Sequence, residues 1–175
     1  MAALSLTVVG SSAMFTVFTY IAPILRDVTH ASTNFVTGML VLFGIGITLG
    51  NVWGGKSADR SVDRTLIISL VVLIAVLLAF SVLMQWPLPA ALSILLWGAA
   101  SFALVPPLQM RVMEAAKDAP NLASAMNIGA FNFGNAIGAA LGGAVINAGL
   151  GYPAISLAGA LMAGLGLLMV LGLSW

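Results

Sequence analysis

Residues 43–55 read Phe-Gly-Ile-Gly-Ile-Thr-Leu-Gly-Asn-Val-Trp-Gly-Gly, and residues 131–143 read Phe-Asn-Phe-Gly-Asn-Ala-Ile-Gly-Ala-Ala-Leu-Gly-Gly. Shifted by 88 positions, Phe43 falls on Phe131, and Gly46, Gly50, Gly54 and Gly55 fall on Gly134, Gly138, Gly142 and Gly143. That spacing is about half of the 175-residue chain, so it predicts an internal repeat, with one copy over about 1–86 and the other over about 87–175. Glycines four apart share one helix face, and such stripes let two membrane helices approach closely. Helix packing is therefore the role expected of Gly50, Gly54, Gly134, Gly138 and Gly142. With 19 glycines in the chain, a chance coincidence of spacing is the competing reading.

The composition says where those helices reside. Hydrophobic residues make up 61% of the chain and charged residues 6%, with a mean hydropathy of +1.13. A soluble domain carries about a quarter charged residues and has no means of hiding this much apolar surface. Soluble enzymes, nucleic-acid binders and disordered chains are excluded, and the bilayer is the first partner implied. With no Cys and a single His, neither a disulfide nor a metal cluster is available, and no cofactor is expected.

The eleven charged residues cluster around Arg26-Asp27, around Lys56 to Arg64 and around Arg111 to Asp118. A spanning helix needs about 20 apolar residues, so the two shorter uncharged stretches hold one span each. The two longer ones hold two each, broken at Gln85-Trp86-Pro87-Leu88-Pro89 and at Gly149-Leu150-Gly151-Tyr152-Pro153. The expectation is a single all-α membrane domain of six transmembrane helices, at roughly 4–25, 34–54, 65–84, 90–110, 121–147 and 153–174. Each repeat then contains three spans, and an odd number inverts the second copy, as in transporter halves. Five of the six basic residues fall in loops two and four, which places those loops and both chain ends in the cytoplasm. The start, Met-Ala-Ala-Leu-Ser-Leu, has no basic residue ahead of its apolar run, which predicts that a longer protein precedes it.

No carboxylate lies within a span; all five acids sit in loops or at helix ends. That leaves no intramembrane proton site to read and no acid–base pair for an intramembrane enzyme, so no catalytic residue is assigned. Neutral polarity remains. Ser12, Thr16, Thr19 and Tyr20 share a face of the first helix. In the fifth, Asn127, Phe131, Gly134, Gly138 and Gly142 fall within a sector of roughly 80°, with Asn135 beside it. Amides and hydroxyls can hydrogen-bond a ligand, and rings supply stacking area, so Thr16, Tyr20, Asn127, Phe131 and Asn135 are the candidate substrate-binding residues. Hydrogen bonding between helices is the alternative use of the same groups. Pro106-Pro107 predicts a kink, Arg111 and Glu114 stand at ion-pair spacing, and His30 reads as a solvated loop residue.

The loop after the second helix sharpens this reading. Gly46-x8-Gly55-x3-Asp59-Arg60, followed by Arg64, resembles the signature loop of the major facilitator superfamily, with Val62 where that family usually has Gly. Val105-Pro106-Pro107-Leu108-Gln109-x-Arg111 and Ala123-Ser124-Ala125-x-Asn127-x3-Phe131-Asn132-x-Gly134 resemble helices ten and eleven of its drug/proton antiporter branch, nearest to the sugar-efflux and chloramphenicol-resistance-like permeases. The resemblance spans essentially the whole chain. It implies half of a major facilitator fold, the C-terminal six helices of an efflux permease for drugs or sugars in a bacterial inner membrane. Such a permease works by alternating access with a missing N-terminal six-helix half. It also implies a gating loop made by Gly46, Gly55, Asp59, Arg60 and Arg64, although these charges equally serve to set topology. A self-contained six-helix channel or pore-forming homo-oligomer is the rival, for which the sequence offers no filter-like loop.

Overall fold

The structure, a computed structural model, describes residues 1–172. It contains eight helices and, among the described residues, no strand: α1 (Ala2–Phe18), α2 (Ile21–Asp27), α3 (Thr33–Ala58), α4 (Val62–Leu83), α5 (Pro87–Ala103), α6 (Val105–Ala115), α7 (Pro120–Asn147) and α8 (Tyr152–Gly172). They form six segments long and apolar enough to cross a membrane, because α1 with α2 and α5 with α6 each make one broken span. The expected end of the last helix at 174 lies outside the described residues.

Both breaks have the same cause. A proline has no N–H to give to the carbonyl four residues back, and its ring crowds that turn. Pro23 thereby ends α1 at Thr19-Tyr20, and Pro107, with Pro106 beside it, ends α5 at Leu104. Each break lies about three residues before a proline, so the expected kink at Pro106-Pro107 is present and a second, at Pro23, accompanies it. The remaining helices start where the chain supplies a start. Ser32 and Ser61 cap α3 and α4 by accepting hydrogen bonds from Phe35 N and Arg64 N, both at 3.3 Å, while Pro87 and Pro120 occupy first-turn positions that need no N–H.

The glycine stripes decide the packing. A methyl group at Gly46, Gly50 or Gly54 would stand 2.3, 2.0 or 2.4 Å from the carbonyl oxygens of Leu95, Ala99 and Ala103. On the other side, a methyl at Gly134, Gly138 or Gly142 would stand 2.4, 2.6 or 2.9 Å from the carbonyl oxygens of Val8, Ser12 and Thr16. Backbones meet at that distance only where a side chain is absent. The partner residues Leu95, Ala99 and Ala103 lie 87 positions beyond Val8, Ser12 and Thr16, so α3 on α5 repeats α7 on α1 in register. The outer layer follows the same symmetry: α8 packs on α1, α4 on α5, and α4 meets α8. Leu70 and Leu77 of α4, both buried, lie against Gly166 and Gly159 of α8 in that last contact, and Ser156 Oγ donates across it to Leu77 O at 2.5 Å. The six spans are thus two inverted three-helix repeats.

Loops alternate ends as their parity requires. Met1, Ala2 and Ala3 line the same cavity as Ser61, Asp63, Arg111 and Glu114, so the chain start and both basic loops share one end. At the other, Thr29 Oγ1 donates to Met84 O at 2.6 Å and Tyr152 OH to Asp27 Oδ2 at 2.9 Å, joining loops one, three and five.

Candidate functional site

Beside the two glycine contacts runs a row of aromatic rings that crosses four spans. Phe131 on α7 meets Phe15 on α1 edge to face, with centroids 6.3 Å apart. Phe15 meets Phe18 at 5.3 Å, Phe18 meets Phe43 of α3 at 5.3 Å, and Phe43 lies 4.7 Å from Trp97 of α5. These separations fall in the range where ring pairs attract. Two of its rings are related by the repeat, Phe43 and Phe131, 88 positions apart, and Phe15 has a counterpart 87 positions on in Phe102, which lies outside the row. Trp97 is buried, Phe15, Phe102 and Phe131 are half-buried, and Phe18 is exposed. A small cavity of about 70 Å³ opens among Met14, Phe15, Phe18, Phe43, Ser101 and Phe102.

The polar residues expected to face a ligand divide into two sets. Thr16 is fully buried, and its Oγ1 donates to Ser12 O at 2.6 Å. Asn127, 5% exposed, accepts from Thr7 Oγ1 at 2.7 Å and donates through Nδ2 to Gln109 Oε1 at 2.6 Å, while Gln109 Nε2 donates to Ser124 Oγ at 2.9 Å. This chain of bonds ties α1, α6 and α7 together, so Asn127 takes the interhelical role, whereas Thr16 bonds back within its own helix and is buried where α1 meets Gly138 and Gly142 of α7. The reason is the glycine stripe: it draws α7 so close to α1 that the amide meets the facing helix before it can meet anything else. Tyr20, Phe131 and Asn135 remain only partly covered. The Tyr20 ring rests on Gly142 and Gly143, and Asn135 Oδ1 is buried without a hydrogen-bond partner.

The loop residues divide similarly. Gly46 belongs to the α3–α5 contact, whereas Gly55 has open space around it. Asp59 caps the C-terminal end of α3 and is exposed, as are Arg60 and Arg64. Its carboxylate therefore gains nothing from the dipole of its own helix, whose C-terminal end is negative. Asp63 pairs with Arg111 on α6, 48 residues away, and among the described residues this is the only salt bridge. Arg111 thus reaches across the bundle instead of down its own helix to Glu114. The pair sits in the wall of a cavity of about 650 Å³ at the basic end, with Arg111 Nη1 buried and unpartnered.

Sequence reasoning missed Thr7, Gln109, Ser101 and the Phe15–Phe18–Phe43–Trp97 row. Thr7 lies four and five positions before Ser11 and Ser12 and Gln109 two positions before Arg111, but only the pairing of α1 with α7 and of α6 with α7 brings them together.

The sequence profile of the Major Facilitator Superfamily matches residues 4–175. Over 170 residues the chain is 56% identical to the inner membrane transport protein YdhP of Escherichia coli K12, covering 97% of this chain and 44% of that protein. It is 35% identical over 165 residues to the MFS-type transporter YfhI of Bacillus subtilis, covering 94% and 42%. It is 32% identical over 148 residues to a probable sugar efflux transporter of Helicobacter pylori, covering 84% and 38%. The chain spans less than half the length of these curated relatives.

Proposed function

The chain belongs to the major facilitator superfamily, and from that premise we propose that it forms one six-helix half of a secondary efflux carrier of the bacterial inner membrane. This half, with repeats at about 1–86 and 87–175, pairs with an N-terminal six-helix half and moves drugs or sugars by alternating access. One observation carries the reading: α3 and α7 are the least buried of the six spans, and their uncovered sides carry Asn51 and Asn132. An amide facing hydrocarbon is costly, so a protein surface must cover it. The aromatic row lies between those two helices, so a second half seated there encloses a cavity lined by Tyr20, Phe131, Asn135 and the exposed edge of Phe18. Asn127 ties together the helices that position this lining, and Thr16 is buried in the contact of α1 with α7.

Orientation follows the basic residues: the end holding Lys56, Arg60, Arg64, Arg111 and Lys117 faces the cytoplasm, together with both chain ends. There Asp59, Arg60 and Arg64, exposed beside the freely accessible Gly55, are placed to grip the opposite half when the cytoplasmic side is closed. The Helicobacter relative named as a probable sugar efflux transporter supports efflux, and the broken spans α1–α2 and α5–α6 supply bending points near opposite faces.

The test is proteoliposome efflux of a panel of drugs and sugars by this chain alone and reconstituted with an N-terminal six-helix half. Saturable, gradient-dependent efflux by the pair and none by the lone chain is expected. Saturable transport by the lone chain as a monomer overturns the half-carrier reading.

A further inference from the structure

At the Trp97 end of the aromatic row lie two hydrogen-bond donors with nothing to bond. Ser101 Oγ and Trp97 Nε1, on residues 1% and 2% exposed, have no partner. They stand four residues apart on α5, hence on one face, and Ser101 lines the small cavity whose walls are otherwise rings and aliphatic chains. Serine in a membrane helix ordinarily donates to the carbonyl one turn back, as Ser12, Thr16 and Ser93 do in this chain. An indole N–H that is buried ordinarily finds an acceptor. Of the two, Ser101 is the one that lines the cavity, and leaving its hydroxyl unsatisfied there is expensive unless a ligand supplies the acceptor.

We infer that this cavity is the recognition subsite for one end of the cargo, a neutral molecule with a flat aromatic body and a carbonyl or ether oxygen, and that polyhydroxylated sugars are poor cargo. The inference rests on the carrier reading above and narrows it. Phe18 and Phe15 take the ring, stacked or edge-on, and Ser101 Oγ donates to the oxygen. With a volume of about 70 Å³, the subsite admits a ring edge bearing one small polar group and no more. No charged residue lies between 65 and 110 or between 28 and 55, so this wall offers a cation or anion no counter-charge. A sugar pressed against it would strip water from several hydroxyls and find one hydroxyl, that of Ser101, to bond.

The experiment uses the carrier reconstituted in nanodiscs from this chain and its N-terminal half, with empty nanodiscs as background. The probes are 7-ethoxycoumarin, which has a planar ring, oxygen acceptors and no donor, and radiolabelled lactose. Saturable coumarin binding is expected, weakened about five- to tenfold by Phe18→Leu, which keeps the apolar volume but removes the ring, and about three- to tenfold by Ser101→Ala. Phe18→Trp restores binding, which separates loss of the ring from loss of folding. Lactose binding as tight as coumarin binding, or coumarin binding that neither Phe18→Leu nor Ser101→Ala alters, overturns the inference and leaves the carrier reading standing. Binding of neither probe also overturns it, while the carrier reading is decided separately by the efflux assay.

Discussion

Gly50 and Ala99 cross with no side chain between them, so that a methyl group on Gly50 would lie 2.0 Å from the Ala99 carbonyl oxygen. Gly138 meets Ser12 in the same way, at 2.6 Å. Because backbone cannot rotate aside as a flexible side chain can, Gly50→Ala and Gly138→Ala should each destabilise the bundle by about 1–3 kcal/mol, and leucine at either site by more. Gly44→Ala, where a methyl group meets nothing within 4 Å, should instead be neutral or stabilising by about 0.5–1 kcal/mol. Thermal unfolding in detergent distinguishes them. Equal tolerance at all three positions would show that the shared spacing has no structural role.

Asn127 and Asn135 should separate stability from transport. Asn127→Leu leaves Gln109 Oε1 short of a partner and Thr7 Oγ1 with only its weaker bond to Ala3 O at 3.3 Å and should cost about 1–3 kcal/mol, with a coupling of about 0.6 kcal/mol between Thr7→Val and Asn127→Leu in a double-mutant cycle. Asn135→Leu removes a buried acceptor that has no donor, so folding should be unchanged or improved. Under the half-carrier reading, transport by the reconstituted pair should then fall about three- to tenfold, the worth of one hydrogen bond. Asn135→Leu that unfolds the chain would contradict its placement.

The expected picture was clear at the level of spans and unclear at the level of partners, and the two asparagines show why. The groups of charge and the Pro and Gly breaks locate all six spans because lipid excludes charge regardless of tertiary structure. The helices extend two to five residues further than expected at several ends, since Ser61 caps α4 from within the charged loop and Lys56 and Ala58 still belong to α3. Charges at the membrane surface interrupt hydropathy without interrupting a helix. Which face of α7 meets α1 was readable from the glycines. That Asn127 would find Thr7, 120 residues away, was not, because the neighbouring helix is known only once the fold exists. The same holds for Arg111, which sequence spacing pairs with Glu114 and the fold pairs with Asp63.

Removing that pair should be felt unequally. The Arg111 side chain is 12% exposed and that of Asp63 is 48% exposed. Asp63→Asn therefore strands a largely covered guanidinium and should cost about 1.5–3 kcal/mol, the range for a hydrogen bond to a charged group. Arg60→Gln and Arg64→Gln, on exposed side chains, should change unfolding by less than about 0.5 kcal/mol. Chemical denaturation of the three variants tests this, and a loss at Arg64 as large as that at Asp63 would refute the difference.

Orientation is open to direct labelling, since the chain contains no Cys to interfere. Single cysteines replacing Ser57 and Ala119 should be protected from an impermeant thiol reagent in intact cells. Those replacing Ser32 and Tyr152 should react. Protection at 32 and reaction at 57 or 119 would invert the topology.

The seating of α7 on α1 also sets a schedule for synthesis. Ser12 Oγ donates to Gly134 O, 122 residues later in the chain, and Thr7, Ser11 and Thr16 are buried in the same contact. At about 5–20 residues per second, the ribosome needs on the order of ten seconds to deliver that partner after the first span has been made. During that interval these four hydroxyl-bearing residues lack the helix that covers them in the finished fold, so α1 must hold its hydroxyls turned back on its own carbonyls until α7 arrives.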